Sequence, residues 1–385
     1  MMRKLNSERL EQTLRQRLWD DMDDCRVSAA HLLVLQEGQE VVSICEGYRN
    51  WDTKEPLRKD AMYRLASMTK PVTGVAALIA EDKGYFDIHD KLEIYMPEFA
   101  DMYVAKLENG KVVLDKKSHT PLRIYHLLSH CSGMMAETPL GSQILKATPK
   151  AAYRSLEAMV RHTATQPLAF EPETYTAYTS RVSFDIVARI IEMKSGMSYA
   201  DFIQKNIFDP LGIEDITYHP TDEQWQRMLM LTDRIAGPGL ATVNLGRHTH
   251  EGLPLTYTSA GAGLTGSMAD YAIFGEMLQN GGTYKGVQLF RPERMQELTH
   301  PYVAPDVPGR NPVSSWGLGV RVVDREGVLP IGSFGWSGAY GTHFWVDPVN
   351  RITALYMRGS RWYDSHGGGN IAEQFEKDVM SCLED

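Results

Sequence analysis

The sequence predicts an α/β protein: a central antiparallel sheet flanked by helices, interrupted by an inserted, mainly helical domain. Three observations carry this. Alternating apolar segments separated by turn residues occur near both ends of the chain, so their strands can share one sheet. Helical periodicity dominates the middle, from about Tyr85 to Tyr218. An amphipathic helix stands at each terminus, placed to cover a sheet face.

In chain order, Leu10, Leu14 and Leu18 recur every four residues and form the apolar face of an opening helix. Ala30 to Gln36 and Glu40 to Glu46 alternate as two strands, with Glu37-Gly38 as the hairpin turn between them. Leu122 to Leu128, Ala151 to Val160 and Phe184 to Ile191 follow helical spacing, the last ending near Gly196. Met268 to Leu278 is a later helix, stopped by Asn280-Gly281-Gly282. Gly317 to Val323, Gly341 to Val346 and Arg351 to Met357 read as strands, and Asp347-Pro348-Val349-Asn350 turns the second into the third. Ile371, Phe375, Val379 and Leu383 share one face of a closing helix. The expected division is residues 1–85 and 216–385 for the sheet domain, and 86–215 for the helical domain.

Of the 385 residues, 43% are hydrophobic and 23% charged, an ordinary globular composition. A chain this long buries roughly three-quarters of its extended surface, so it needs no disulfide or metal scaffold. Its 49 acidic and 40 basic residues are well mixed and leave a net charge of −9. That argues against a phosphate-binding surface, and no nucleic-acid partner is expected. Cys25, Cys45, Cys131 and Cys382 lie far apart with no C-x-x-C pair and read as reduced, partly buried thiols. Met1 to Asp24 is dense in charge, and the longest apolar run, Val72 to Ala80, is too short to span a bilayer. The expectation is a cytoplasmic protein with no membrane partner.

One segment stands out for its chemistry. Ser67-Met68-Thr69-Lys70 holds the only S-x-x-K in the chain, ahead of a strongly apolar helix, Val72 to Asp82. Three-residue spacing puts Ser67 and Lys70 on one helix face, Ser67 in the first turn. A serine hydroxyl attacks a carbonyl only if a base takes its proton, and a buried lysine with a lowered pKa can be that base. The free N–H groups of a helix start offer an oxyanion donor at Ser67. On spacing alone, an N-capping serine beside a solvated lysine explains the same pattern.

Further landmarks lie downstream in a fixed order. They are His126-Leu127-Leu128-Ser129-His130-Cys131-Ser132-Gly133, then Gly261-Ala262-Gly263-Leu264 with Ala269-Asp270-Tyr271. Phe334-Gly335-Trp336-Ser337-Gly338-Ala339-Tyr340-Gly341-Thr342 follows, with Phe344-Trp345-Val346-Asp347-Pro348. With Ser67-Met68-Thr69-Lys70, this set resembles the serine β-lactamase-like family: class C β-lactamases, penicillin-binding-protein-like peptidases and family VIII carboxylesterases. The resemblance runs from about residue 28 to 360. It implies Ser67 as nucleophile and Lys70 as its base. Tyr178-Thr179-Ser180 resembles the family's Y-x-S variant, making Tyr178 the second proton carrier, with Tyr175 a rival three residues upstream. Trp336-Ser337-Gly338 stands where lactamases usually carry Lys-Thr-Gly and is closer to the esterases. Trp336, Ser337, Gly338 and Ser180 are the implied substrate contacts, with glycine at 338 admitting substrate to the strand backbone. The N–H groups of Ser67 and Ala339 are the implied oxyanion hole.

Other groups read as structural. His248-Thr249-His250 lacks a third ligand and reads as a loop, and His126 and His130 as packing or capping residues. Gly367-Gly368-Gly369 reads as a flexible loop rather than a phosphate cradle, and no G-x-S-x-G elbow occurs. His343 is a substrate-side candidate, and Arg358 a cation within reach of the cleft. The resemblance thus implies a serine hydrolase that cleaves a small-molecule ester through an acyl-enzyme, with no metal or organic cofactor. A β-lactamase or D-Ala-D-Ala-type peptidase or acyltransferase is the alternative, and a non-catalytic binding module on the same fold is the alternative of another class. Hydrolysis and acyl transfer share the acyl-enzyme, so the sequence leaves them open, as it does the oligomeric state.

Overall fold

Asn6 starts the first helix, α1 (Ser7–Asp23), by accepting the Arg9 N–H on its side chain. The helix lays Leu10, Leu14 and Leu18 on a sheet that begins with β1 (Ala29–Gln36) and β2 (Gln39–Asn50). Glu37 and Gly38 turn this hairpin with φ of 53° and 73°. The computed structural model describes residues 2–235, 239–361 and 370–384, so the glycine run 367–369 lies outside the described residues. The sheet is completed by β3 (Glu55–Pro56) at one edge and by five strands from the far end of the chain. A short β4 (Met62–Arg64) pairs separately with β7 (Thr265–Ser267), and β5 (Tyr103–Glu108) with β6 (Lys111–Lys117). The five late strands are β8 (Ser314–Trp316), β9 (Arg321–Val323), β10 (Phe334–Ser337), β11 (His343–Asp347) and β12 (Ile352–Arg358). Their order is β8-β9-β10-β11-β12-β1-β2-β3, antiparallel throughout, so the two ends of the chain do meet in one central sheet.

Strand alternation sorts the side chains between two cores. Leu32, Val34, Trp345 and Ala354 face α1 and the closing helix, which runs Ile371–Ser381. Leu33, Leu35, Phe344 and Leu355 face the larger core. That core holds helix α2 (Thr69–Asp82), buried from Thr69 to Ala80, and a helix over Met268–Gln279. Between α2 and β7 come α3 (Ile124–Leu128), α4 (Pro139–Lys146), α5 (Leu156–Ala164) and α6 (Val182–Ser195). The later two helices are therefore α7 (Met268–Gln279) and α8 (Ile371–Ser381). Among the described residues, no helix is long and apolar enough to cross a membrane.

Several boundaries differ from the sequence reading, each for a local reason. The helix expected over Ala151 to Val160 splits into a 3₁₀ turn, Lys150–Arg154, and α5, because Ser155 caps the latter by accepting the Ala158 N–H. Only Arg321–Val323 of the strand expected from Gly317 is paired, since Gly317 donates to Val320 O and closes a tight turn. Leu383 leaves the closing helix and pairs with Leu5. The β5–β6 hairpin inside the helical region turns on Asn109-Gly110, with φ of 50° and 74°, a hairpin signal the helical reading passed over. The four cysteines are free thiols, Cys131 and Cys382 buried and the other two half-buried.

Candidate active site

Ser67 sits in a 3₁₀ turn, Ala66–Met68, that runs into α2, one element earlier than expected. The preceding Ala66 is held at φ 44°, a left-handed conformation that costs a non-glycine residue ~1–2 kcal/mol. The neighbours hold it there: Leu65 donates to Leu264 O at 3.0 Å, and the Leu65 carbonyl accepts the Thr342 hydroxyl at 3.2 Å. Gly338 presses on the same carbonyl, and a Cβ there would collide with it. The glycine at 338 therefore admits the chain's own Leu65 backbone, where the sequence reading had substrate.

Lys70 is wholly buried and Ser67 is 8% exposed. The lysine Nζ lies 3.2 Å from Ser67 Oγ, and it donates to the carbonyls of Ser180 at 2.6 Å and Gly261 at 2.9 Å. Burial lowers its pKa to about 7, against the opposing pull of Asp185 and Glu137. A neutral amine has two N–H bonds and one lone pair. With both N–H bonds given to carbonyls, the lone pair is left for Ser67. Ser180, expected as a substrate contact, contributes its backbone carbonyl to this cradle.

Tyr178, just ahead of α6, donates its hydroxyl to Ser67 Oγ at 2.6 Å. The Trp336 indole N–H in turn donates to the Tyr178 oxygen at 3.2 Å. Indole is a donor only, so Tyr178 accepts from Trp336 and donates to Ser67, while Lys70 donates to Ser67 Oγ when protonated and can accept from it only as the neutral amine. The phenol is boxed by rings, with centroids 4.6 Å to His130, 5.9 Å to Trp316 and 5.4 Å to Trp336. Burial raises its pKa, which keeps it protonated. Tyr175 packs on Phe170, ring centroids 5.3 Å apart, so the rival tyrosine is engaged elsewhere.

The other expectations fall on both sides of β10. Trp336 shares the large-core face with Phe344, while Ser337 points the opposite way, because successive strand side chains alternate. Ser337 Oγ hydrogen-bonds His343 Nδ1 at 2.8 Å, and His343 Nε2 lies 3.1 Å from Glu376 of α8. Neither Ser337 nor His343 therefore faces Ser67. Arg358 shares that far face with Tyr356 and lies under Gly341, beside a cavity of about 510 Å³. Ala339 is exposed on the turn after β10, where Gly338 donates to Thr342 O at 2.7 Å. His126 Nδ1 accepts the Arg123 N–H at 3.1 Å and His130 Nδ1 the Thr179 N–H at 3.0 Å, which are capping and packing roles. His248 and His250 hydrogen-bond the carbonyls of Leu253 and Glu251. Trp316, Gly261 and Asp185 belong to the site without having been singled out. Gly261 stands in a noted landmark, but no local signal marks Trp316 or Asp185.

A family model described as Beta-lactamase matches residues 10–361. Protein Rv1367c of Mycobacterium tuberculosis is 28% identical over 341 residues, covering 81% of this chain and 80% of that protein. Among solved structures, EstCE1, described as a hydrolase with promiscuous acyltransferase activity, superposes with a TM-score of 0.78 at 19% identity. The match covers 98% of each chain. A penicillin-binding protein homologue from Caulobacter crescentus gives a TM-score of 0.74 at 19% identity, covering 97% of this chain and 96% of that one.

Proposed function

The chain belongs to the β-lactamase family, with the fold of its serine hydrolases, and on that premise we propose that it cleaves a small uncharged ester through an acyl-enzyme on Ser67. The observation that carries this reading is the convergence of Lys70 Nζ and the Tyr178 hydroxyl, itself held by Trp336, on Ser67 Oγ. In acylation, Ser67 Oγ bonds to the ester carbonyl carbon while its proton passes to Lys70. Collapse of the tetrahedral intermediate expels the alkoxide, which takes the proton held by Lys70, directly or from Tyr178 with Lys70 reprotonating the phenol, and leaves as the alcohol. Water then repeats the sequence on the acyl-enzyme and returns the acid. The backbone N–H groups of Ser67 and Ala339 are the proposed oxyanion donors. An alcohol in place of water gives acyl transfer, the second activity in the description of EstCE1. The reading needs no cofactor, since nucleophile and proton carriers are all side chains.

Esters rather than β-lactams are favoured by the position of Trp336. β-Lactam substrates carry a carboxylate beside the ring, and the lactamases it resembles place a lysine at this point of the strand. Losing one charge-assisted contact costs ~1.5–3 kcal/mol, roughly ten- to a hundredfold. Arg358 projects from the opposite face of the sheet to Trp336, beside Gly341, so the ester reading does not count it as the replacement. The test compares kcat/KM for p-nitrophenyl acetate and butyrate with that for nitrocefin. The ester values are expected to be higher by at least about tenfold; a nitrocefin value at or above them overturns the ester reading. Intact-protein mass spectrometry with both substrate classes shows which acyl group Ser67 retains, and the absence of both ester turnover and fluorophosphonate labelling favours a binding module.

Tyr178→Phe is expected to lower ester turnover by ~10²–10⁴-fold, because it deletes the donor to Ser67 Oγ. Tyr175→Phe should stay within about threefold of the parent, a packing-scale effect. A larger loss from Tyr175→Phe would reverse the assignment of the tyrosine.

A further inference from the structure

Asp185, on the first turn of α6, is fully buried. Its Oδ2 accepts the Tyr257 hydroxyl at 2.7 Å; its Oδ1 accepts the Ala260 N–H at 2.7 Å and the Ser259 hydroxyl at 3.3 Å. All three donors come from one stretch, residues 257–260. The next residue is Gly261, whose carbonyl receives Lys70 Nζ at 2.9 Å. The same stretch is pinned from α2, where the Thr73 hydroxyl donates to Ala260 O at 2.6 Å. Tyr199 backs that contact, its hydroxyl 2.7 Å from Thr73 Oγ1. A buried carboxylate is costly unless it is hydrogen-bonded, and the three donors that satisfy this one all lie in the stretch leading to the Gly261 carbonyl.

We propose that Asp185 is a positioning residue for Lys70: it fixes the loop that presents the Gly261 carbonyl and places a negative charge opposite the amine that takes the Ser67 proton. This rests on the reading of Ser67 as nucleophile and Lys70 as base. The charged and titratable groups facing Lys70 are Asp185 and Arg181 of α6 and its start, Glu137 ahead of α4, His130 and His250, and the Tyr178 ring. Those facing Asp185 are Arg181, Tyr257, Tyr199, Tyr218 and Lys70. Burial raises the Asp185 pKa to about 6, so the carboxyl loses its proton ahead of Lys70, the two titrations overlapping in part. The sign follows. An anion at 185 favours the protonated lysine, so removing the anion lets Lys70 lose its proton at lower pH.

The test measures the rate of covalent labelling by a fluorophosphonate probe against pH, read by intact mass, for the parent, Asp185→Asn, Tyr257→Phe and Ser67→Ala. Asp185→Asn should label at least roughly tenfold more slowly on the high-pH plateau, because the cradle loosens. The midpoint of its rising limb should move down by roughly one pH unit. Tyr257→Phe removes one of the three donors and should move both quantities the same way by less; it carries the test if the asparagine variant does not fold. A slower plateau with the parent midpoint would mean a purely structural role and overturns the proposal, as does an unchanged profile in both variants. Labelling of the parent at Ser67 with an unmoved Asp185→Asn profile defeats only this inference. Failure of the parent to label, or full labelling of Ser67→Ala, defeats the reading of the nucleophile with it.

Discussion

Ser67→Ala is expected to abolish ester turnover and fluorophosphonate labelling, with kcat lowered by ~10⁴-fold or more. The hydroxyl is the point on which the Lys70 and Tyr178 contacts converge, at 3.2 and 2.6 Å. Removing it leaves Lys70 and Tyr178 in place with no hydroxyl between them. The fold should survive. The loss is two hydrogen bonds to a small side chain, about 1–2 kcal/mol, and the turn is also held by the contacts of Leu65 with Leu264, Thr342 and Gly338. Circular dichroism and a melting curve establish that the variant is folded, and mass spectrometry then reads labelling. Labelling of the variant at the parent rate would displace Ser67 as nucleophile.

Lys70 should be nearly as sensitive, and its pH dependence gives the sharper check. The protonated amine has no lone pair, so only the neutral fraction accepts the serine proton. With the pKa lowered to about 7, kcat/KM should climb about tenfold per pH unit below that value and level off above it. An unburied lysine would put the limb near 10. Lys70→Ala should lower the rate by several orders of magnitude while leaving the Ser180 and Gly261 carbonyls unpaired, at a cost of ~1–3 kcal/mol each. Lys70→Arg should not rescue it, because guanidinium stays protonated at any pH the protein tolerates. An arginine variant with most of the parent rate would make the lysine an electrostatic partner rather than a base.

Much of the architecture was legible because it rests on short-range periodicity. Leu10, Leu14 and Leu18, the Glu37-Gly38 hairpin and the stop after Gln279 are each decided within a dozen residues, where local backbone preferences and one buried face settle the outcome. Ser155 and Asn109-Gly110 are equally local signals, a helix cap and a hairpin turn set by the chemistry of one or two residues. The S-x-x-K spacing was local too, and it put Ser67 and Lys70 on one face, but only the packed structure shows the amine buried beside the hydroxyl rather than in solvent.

What the sequence determined by itself is therefore most of the periodic elements and, through the motif it shares with the family, the residues Ser67 and Lys70. The tertiary structure decided which of two tyrosines reaches Ser67, that Ser337 and His343 face away from it, and that Gly338 receives the Leu65 backbone. It also brought Trp316, Gly261 and Asp185 into the site. These outcomes share one cause. Each depends on the register of a strand, where one residue of slip reverses the face, or on the meeting of segments more than a hundred residues apart, as with Tyr178 and Ser67. No local propensity encodes such a distance. It is set when the two ends of the chain close into one sheet and carry β10 against the turn that holds Ser67.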